Sequence, residues 1–432
     1  MNSKFVQRAL FGVIIAVFAF GFQFGGKAEA KTKITMWSHF ADHQAVRELY
    51  QELEATFEKE NPDLDIEMTF YEKKALFAAQ MTALRAGAGP DIMYLEPDRV
   101  QFVDSGFVRP LDGLVNLDRL EGFAKEAWTF NGKVYALGMQ AFTVELYYNK
   151  DLLKKIGVNL PGDATLNQSQ FLDMVKKAKA AGITPVVQGI GDRPYPGSYL
   201  LHELLLRKLG KADYGKLWAG ELSFNDKRVK DVFAYMKQVV DAGAYPKTFT
   251  TLKLGESHYY FHTKPGGLTF PLGSWYSSRA FNLPDKGGQP ENFPLGVMQF
   301  PKMDGGACPN CKTIGVAGSY AINANSKNAK LAGKFLNLMA REEVGRKWIS
   351  TVFVATGVKV DTSGGFKGKY ADYFTQLSTL AQGRDFFLGT PIDHIRGKCK
   401  ETFVQVLNGG FPAGLIGPDK AIDMMEKACY QG

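Results

Sequence analysis

Residues 33–94 alternate strand-like and helix-like segments, and this alternation constrains the fold more than any other feature of the sequence. Strand-like runs cover 33–37, 64–71 and 91–94, and helix-like runs with apolar stripes lie between them, at about 42–60 and 73–86. A β-α-β-α-β order predicts a parallel sheet with helices on both faces, so the expected fold class is α/β.

Ligands of such sheets collect at the carboxyl ends of the strands. Trp37 ends the first strand, with His39 and Asp42 just beyond it, and Glu96 and Asp98 follow the third strand. We predict that these five residues contact a ligand, since carboxylates accept hydrogen bonds and aromatic rings offer stacking surfaces. The alternatives are a tryptophan that packs in the core, an Asp that only caps the next helix, and two acids that are merely solvated.

The first thirty residues have the pattern of a secretory signal peptide. Lys4 and Arg8 precede an uncharged apolar run at 9–22, and Ala28-Glu29-Ala30 offers small residues where a signal peptidase reads them. The apolar run is short for a membrane span, and an N-terminal anchor is the alternative interpretation. We expect cleavage before Lys31 and export to the periplasm.

The 402 residues that remain (432 minus 30) exceed what one core usually holds and suit two domains. The formal net charge of +8 is scattered along the chain, without a basic stripe, so we expect no nucleic-acid partner. The sequence contains no GxSxG, HExxH or phosphate-loop motif, and it pairs no carboxylates in an evident way. We therefore expect a protein that is not an enzyme.

Four cysteines lie in the last third of the chain, at Cys308, Cys311, Cys399 and Cys429. An even count in an exported chain favours disulfides, with three possible connectivities. Adjacency in the sequence favours Cys308–Cys311 and Cys399–Cys429. A CxxC pair is also found in redox motifs and zinc sites, but the other two cysteines lack the spacing that would complete a metal site, so we predict no metal.

Several segments resemble, in order along the chain, the extracellular solute-binding family of ABC importers that includes maltose-binding protein. They are ITMWSHF with FEKENPDLDIE, ALRAGAGPDIMYL with FVDSGFVRPLDGL, ELYYNKDLLKKIGV, and GSWYSS with VMQFP and VAGSYAINANSKNAKLAGKFLNLMAREE. The similarity extends from residue 33 to about 345, and the shared order is more specific than any single motif.

The resemblance implies a two-lobe periplasmic-binding-protein fold with several hinge crossings and a ligand cleft between the lobes. The N-terminal lobe would comprise 31–142 plus 301–348, and the C-terminal lobe 143–300 plus 349–432. Such proteins close on their ligand by hinge bending. The resemblance also implies a monomer without a cofactor, whose partners are the ligand and the permease subunits of an ABC importer in the inner membrane.

The resemblance also marks residues around the first crossing and the GSWY segment. Trp275 matches the tryptophan of the family's GPW segment, and Tyr276 follows it. Glu145 lies at the first crossing, but the family's acidic ligand residue aligns with Phe142 instead. The chain therefore departs from the maltose pattern, and we expect its ligand to differ.

The second lobe and the returning strand supply the remaining candidates. Arg193 and Tyr195 lie in a Pro/Gly-rich loop, either as a polar clamp or only as part of a turn. Ser319 and Tyr320 lie on the returning strand, and His394 lies in the loop GTPIDHIRG. The expected ligand is a monosaccharide, oligosaccharide or polyol. The alternatives are a glycerol-phosphate-type or other small polar solute and, in another class, an exported glycan-active enzyme.

Overall fold

The computed structural model describes residues 31–263 and 266–432, so the predicted signal peptide at 1–30 lies outside the described residues. The described strands, β1 to β15 in chain order, are Thr32–Ser38, Leu64–Phe70, Ile92–Leu95, Val108–Arg109, Thr129–Phe130, Lys133–Val134, Leu137–Gly138, Ala141–Asn149, Thr165–Asn167, Thr184–Val186, Gly267–Gly273, Leu295–Lys302, Cys311–Val316, Ser319–Asn323 and Asp385–Leu388.

The described α-helices, α1 to α16 in chain order, are Gln44–Glu60, Lys73–Arg85, Gln101–Asp104, Gly122–Glu126, Lys150–Lys155, Gln168–Ala180, Tyr199–Ala219, Lys227–Asp241, Leu254–His262, Tyr276–Ala280, Ala329–Met339, Glu342–Val352, Ala371–Ala381, Pro391–His394, Gly397–Phe403 and Pro418–Cys429. A π-helical segment, Val404–Gly410, continues α15. Among the described residues, none of these helices combines the length and hydropathy that a membrane crossing requires.

The first helix shows how local sequence sets these boundaries. Its apolar positions Leu49, Leu53 and Phe57 recur every four residues and are buried, so one face of α1 packs on the core. The helix ends at Asn61, because Pro62 follows and has no backbone N–H to continue the helical hydrogen bonds. The Asn61 N–H makes the last of these bonds, to the Phe57 carbonyl at 2.9 Å.

The first sheet has the strand order β2-β1-β3-β14-β4, with β7 also paired to β14. Strand β1 runs parallel to β2 and β3, whereas β14 returns antiparallel to β3. Ile92 belongs to one apolar cluster and Met93 to another, and Ile322 and Ala321 divide in the same way. Since neighbouring residues of a strand point to opposite faces, the two clusters cover the two faces of this sheet.

The second sheet is built around the nine-residue strand β8 and has the order β10-β11-β8-β12-β9. Strands β11, β12 and β13 all pair antiparallel with β8, and β13 also pairs in parallel with β15. A third and larger apolar cluster surrounds this sheet and includes Leu146, Phe270 and Val297. The molecule therefore has two lobes, each with its own sheet and core.

The chain passes between the lobes more than once. The core of the second sheet includes Met303 and Cys311, and the core of the first sheet includes Val352 and Val358. The lobe boundaries at 142, 300 and 348 stay a prediction. From the two cores we propose crossings at about 141, at 317–318 between β13 and β14, and at 359–370.

Two disulfides join the cysteines in the pairs that the sequence favours. Cys308 is bonded to Cys311 and Cys399 to Cys429. The first closes a loop between β12 and β13, and the second joins α15 to the end of α16. Cys308, Cys311 and Asp385 also lie close enough to share a metal ion, but both sulfurs are consumed by the disulfide.

Candidate binding site between the two lobes

A cleft lies between the lobes and is lined by residues of both. Interfaces between domains are common places for small-ligand sites. Six of the residues that the sequence predicted line the cleft, namely His39, Glu96, Asp98, Arg193, Tyr195 and Trp275.

One wall of the cleft is aromatic. The ring of Trp275 meets Phe142 edge to face at a centroid distance of 4.7 Å, and Tyr195 and Tyr199 lie 6.3 and 6.2 Å from it. A Cβ atom at Gly273 would overlap the Trp275 ring, so the glycine permits the indole to fold back over the end of β11. The wall provides the platform on which an apolar ligand face can stack.

The first lobe contributes an ion pair to the lining of the cleft. Lys73 Nζ lies 2.5 Å from Glu96 Oε1, which also accepts a hydrogen bond of 2.8 Å from the Tyr94 hydroxyl. Burial alone would raise the pKa of Glu96, but Lys73 holds it below its ordinary value. Burial alone would lower the pKa of Lys73, but Glu96 raises it. Both groups are therefore charged at neutral pH.

Three histidines of the cleft are neutral at physiological pH. Burial lowers the pKa of His39 to about 3 and that of His43 to about 4, and it lowers the pKa of His258 well below its ordinary value. Nδ1 of His39 and both ring nitrogens of His258 have no hydrogen-bond partner among the described residues. Neutral imidazoles can donate and accept hydrogen bonds, which suits a ligand with hydroxyl groups.

The lobes contact each other beside α10. The guanidinium of Arg279, from the second lobe, donates to Asp42 of the first lobe at 3.1 Å. His43 Nε2 lies 3.3 Å from the hydroxyl oxygen of Ser278. Asp42 itself does not line the cleft in this structure, but it binds Arg279, which does.

A second contact between the lobes lies at the other side of the cleft. Lys400 Nζ donates to the Asp98 carbonyl at 2.8 Å and to its carboxylate at 3.4 Å. Burial, with Asp98 nearby, raises the pKa of Asp393 to about 7, although Thr390 donates two hydrogen bonds to it. Both contacts join the two lobes directly in this structure.

Seven other predicted residues do not line the cleft. The ring of Trp37 packs on Tyr71 at 5.4 Å, on the outer part of the first sheet. The Tyr320 hydroxyl lies in the core, 2.8 Å from the Ser38 hydroxyl and 2.7 Å from the Tyr50 hydroxyl. Both side chains therefore support the first lobe in this structure.

The side chains of Ser319 and Glu145 also bind buried residues and do not line the cleft. The Ser319 hydroxyl accepts a hydrogen bond of 2.8 Å from the Trp128 indole. Glu145 forms an ion pair of 2.7 Å with Lys312, and both side chains are 2% exposed. Glu145 and Lys312 face each other on the paired strands β8 and β13, inside the second lobe.

Tyr276 and His394 lie close to the cleft but point away from it. Tyr276 is fully buried beneath Trp275, with its hydroxyl oxygen 3.1 Å from His262 Nδ1. His394 Nε2 lies 2.8 Å from the carbonyl oxygen of Leu388. Tyr276, His394 and Asp42 were predicted to contact a ligand but do not line the cleft. The residue next to each of them in the sequence lines it instead: Trp275, Asp393 and His43.

Several residues that line the cleft were not predicted from the sequence, although the rule on strand ends marks some of them. Lys73 begins the helix directly after β2, so the rule that ligands collect at the carboxyl ends of strands would have included it. The same rule would have included His43, which follows β1, and Tyr94, which lies at the carboxyl end of β3. No comparable signal marks the others, which come from loops and helices that only the fold brings together: Gln140, Tyr199, His258, Ser278, Arg279 and Asp393.

Curated relatives and solved structures resemble the chain over most of its length. The chain is 25% identical to the multiple sugar-binding protein of Streptococcus mutans over 303 residues, 68% of each chain. It is 25% identical to the arabinooligosaccharide-binding protein of Bacillus subtilis over 364 residues, 80% of this chain and 78% of the relative.

Among solved structures, a protein from work on xylan utilization by Caldanaerobius polysaccharolyticus matches with a TM-score of 0.79 and 22% identity, covering 91% of this chain and 99% of that one. A chitin oligosaccharide binding protein matches with a TM-score of 0.76 and 20% identity, covering 91% and 97%. This likeness confirms the predicted two-lobe α/β fold.

The family model described as bacterial extracellular solute-binding protein matches residues 41–346. The matched region contains most of both sheets and the Trp275 side of the cleft. Since it spans well over half of the chain, the chain belongs to the bacterial extracellular solute-binding protein family.

Proposed function

We propose that this protein captures a carbohydrate in the cleft between its lobes and delivers it to the permease of an ABC importer. The observation that carries the proposal is the composition of the cleft, which is lined both by the aromatic wall around Trp275 and by the charged groups of Lys73 and Glu96. A sugar presents apolar C–H faces ringed by hydroxyl groups, so it needs both kinds of surface.

The relatives support the same ligand class. Two curated relatives are named for binding multiple sugars and arabinooligosaccharides, and one similar structure is named for chitin oligosaccharides. The proposed ligand is a monosaccharide, an oligosaccharide or a polyol.

The proposed mechanism is hinge closure without catalysis. Ligand contacts with both lobes favour the closed arrangement, since a ligand shifts an equilibrium only by binding one state better than the other. The permease would recognise the closed form. We propose that the protein acts as a monomer in the periplasm after removal of residues 1–30, and that it performs no reaction on its ligand.

A thermal-shift screen against a carbohydrate panel tests this proposal. A sugar that binds only the folded protein stabilises it by about 2.7 kcal/mol at a concentration of 100 Kd, which raises the melting temperature. We expect such a shift with no change in the sugar when the same samples are examined by chromatography.

The other outcomes each contradict part of the proposal. Formation of product would favour a glycan-active enzyme. A shift with glycerol phosphate and none with sugars would favour the small polar solute. No shift with any compound of the panel would contradict carbohydrate binding.

A further inference from the structure

Arg193 differs from the other cations of the cleft because its guanidinium makes no hydrogen bond to a carboxylate of the described residues. It lies in the loop between β10 and α7, and its backbone carbonyl accepts a hydrogen bond of 3.2 Å from Asn408. Its Nε is buried without a hydrogen-bond partner among the described residues. The carboxylate near it is that of Asp192, whose Oδ2 is 3.7 Å away and whose other oxygen accepts a hydrogen bond from the Leu254 N–H.

The other two cations of the described cleft wall are matched by carboxylates within hydrogen-bonding distance. Lys73 lies 2.5 Å from Glu96, and Arg279 lies 3.1 Å from Asp42. Arg193 is therefore the cation of this wall whose donors remain available to a ligand.

The acids of the described wall are also accounted for. Glu96 is paired with Lys73, and Asp98 has both Arg99 and Lys400 at 3.4 Å. Asp393 accepts two hydrogen bonds from Thr390. These acids therefore have partners other than Arg193, and its own neighbour Asp192 stays at 3.7 Å, beyond hydrogen-bonding distance.

A partly buried guanidinium without a hydrogen-bond acceptor is unfavourable, because hydrogen bonds do not offset the free-energy cost of its desolvation. Its planar fork of N–H donors matches the two oxygens of a carboxylate. Tyr195 follows two residues later and adjoins Trp275, so a sugar ring stacked on this aromatic wall would hold a substituent near Arg193.

We propose that the ligand is a sugar that carries a carboxylate, such as a uronic acid residue, and that Arg193 binds this carboxylate. The inference rests on the carbohydrate-binding function proposed above. A phosphorylated sugar fits less well, because its group carries about two negative charges at pH 7 whereas one cation is available.

Matched ligands test this inference by isothermal titration calorimetry at pH 7.5. Galacturonate, its methyl ester and galactose form one series, and glucuronate, its methyl ester and glucose form another, each as monosaccharide and as a short oligomer where available. We expect the free acid to bind at least about tenfold more tightly than its ester or its neutral sugar, as for a hydrogen bond to a charged group.

Two variants connect the preference to this side chain. Arg193→Gln should weaken binding of the acid by between about tenfold and a hundredfold and change binding of the neutral sugar little. Arg193→Lys keeps the charge but loses the fork, so it should retain part of the preference. Arg341→Gln is the control, because Arg341 pairs with Glu60 far from the cleft and should leave both affinities unchanged. Melting curves confirm that each variant is folded.

The outcomes separate this inference from the proposed function. Equal or tighter binding of the neutral sugars, or an acid preference that survives Arg193→Gln, overturns the inference and leaves carbohydrate binding intact. Tighter binding of glucose 6-phosphate than of glucuronate also overturns it. If no compound of either series binds while another sugar of the panel does, the inference is overturned and carbohydrate binding stands; the carbohydrate proposal is contradicted only when the whole panel gives no shift.

Discussion

Replacement of Lys312 by methionine is expected to lower the free energy of unfolding by about 3–5 kcal/mol, because it leaves the buried carboxylate of Glu145 without its partner. The two side chains are each 2% exposed and lie 2.7 Å apart on neighbouring strands of the second sheet. The Thr143 hydroxyl donates to the other Glu145 oxygen at 2.5 Å and cannot replace a positive charge. Urea denaturation followed by circular dichroism measures the loss.

Two controls show whether the effect comes from the unpaired charge. The double variant Glu145→Leu with Lys312→Met should regain most of the lost stability, since a buried ion pair can be replaced by apolar residues at little cost. Lys302→Met removes a pair with Asp163 in which both side chains are about half exposed, and it should change stability by less than about 1 kcal/mol. If Lys312→Met and Lys302→Met lowered the free energy of unfolding equally, the loss could not be attributed to an unpaired buried charge, and the prediction would be contradicted.

Trp275→Ala is expected to weaken ligand binding by about 1–3 kcal/mol, roughly fivefold to 150-fold, because it removes the stacking platform of the cleft. The same change should abolish the quenching of tryptophan fluorescence that the ligand causes. Titration of the best sugar from the panel, by calorimetry and by fluorescence, measures both effects.

The matched control for this prediction is Trp37→Phe, since Trp37 packs on Tyr71 and does not line the cleft. Its affinity for the sugar should stay within about twofold of the original, a change of less than 0.5 kcal/mol. Trp275→Phe keeps a smaller ring and should give an intermediate affinity. Unchanged affinity in Trp275→Ala, with the fold intact by circular dichroism, would remove this ring from the site.

The elements of the fold could be predicted where local sequence determines them. The stripe of α1 and its stop at Asn61 depend on residues within one or two turns, and the predicted end agrees with the structure. The sequence predicts a returning strand at Ser319 and Tyr320, and the structure has two strands here, β13 and β14, in different sheets. The break falls at Ala317-Gly318, where the chain changes lobes, and periodicity alone carries no sign of such a change.

The candidate site could be predicted only at the strand ends. His39, Glu96 and Asp98 line the cleft because the carboxyl edge of a parallel sheet determines where they lie. Glu145 and Tyr320 could not be placed in this way, since their partners Lys312 and Ser38 are distant in the sequence and become neighbours only through strand pairing. The sequence likewise could not show that the Arg193 guanidinium makes no hydrogen bond to a carboxylate, because this depends on contacts that only the folded chain reveals.

The central claim is that two lobes close around a small sugar, and small-angle X-ray scattering tests it most directly. Scattering is recorded from the protein alone and at saturating concentration of the sugar that gives the largest thermal shift. We expect the radius of gyration to fall when the sugar is added, and the curve of the bound protein to agree with the closed arrangement in which Arg279 contacts Asp42. Identical curves with and without the bound sugar would contradict closure on a ligand.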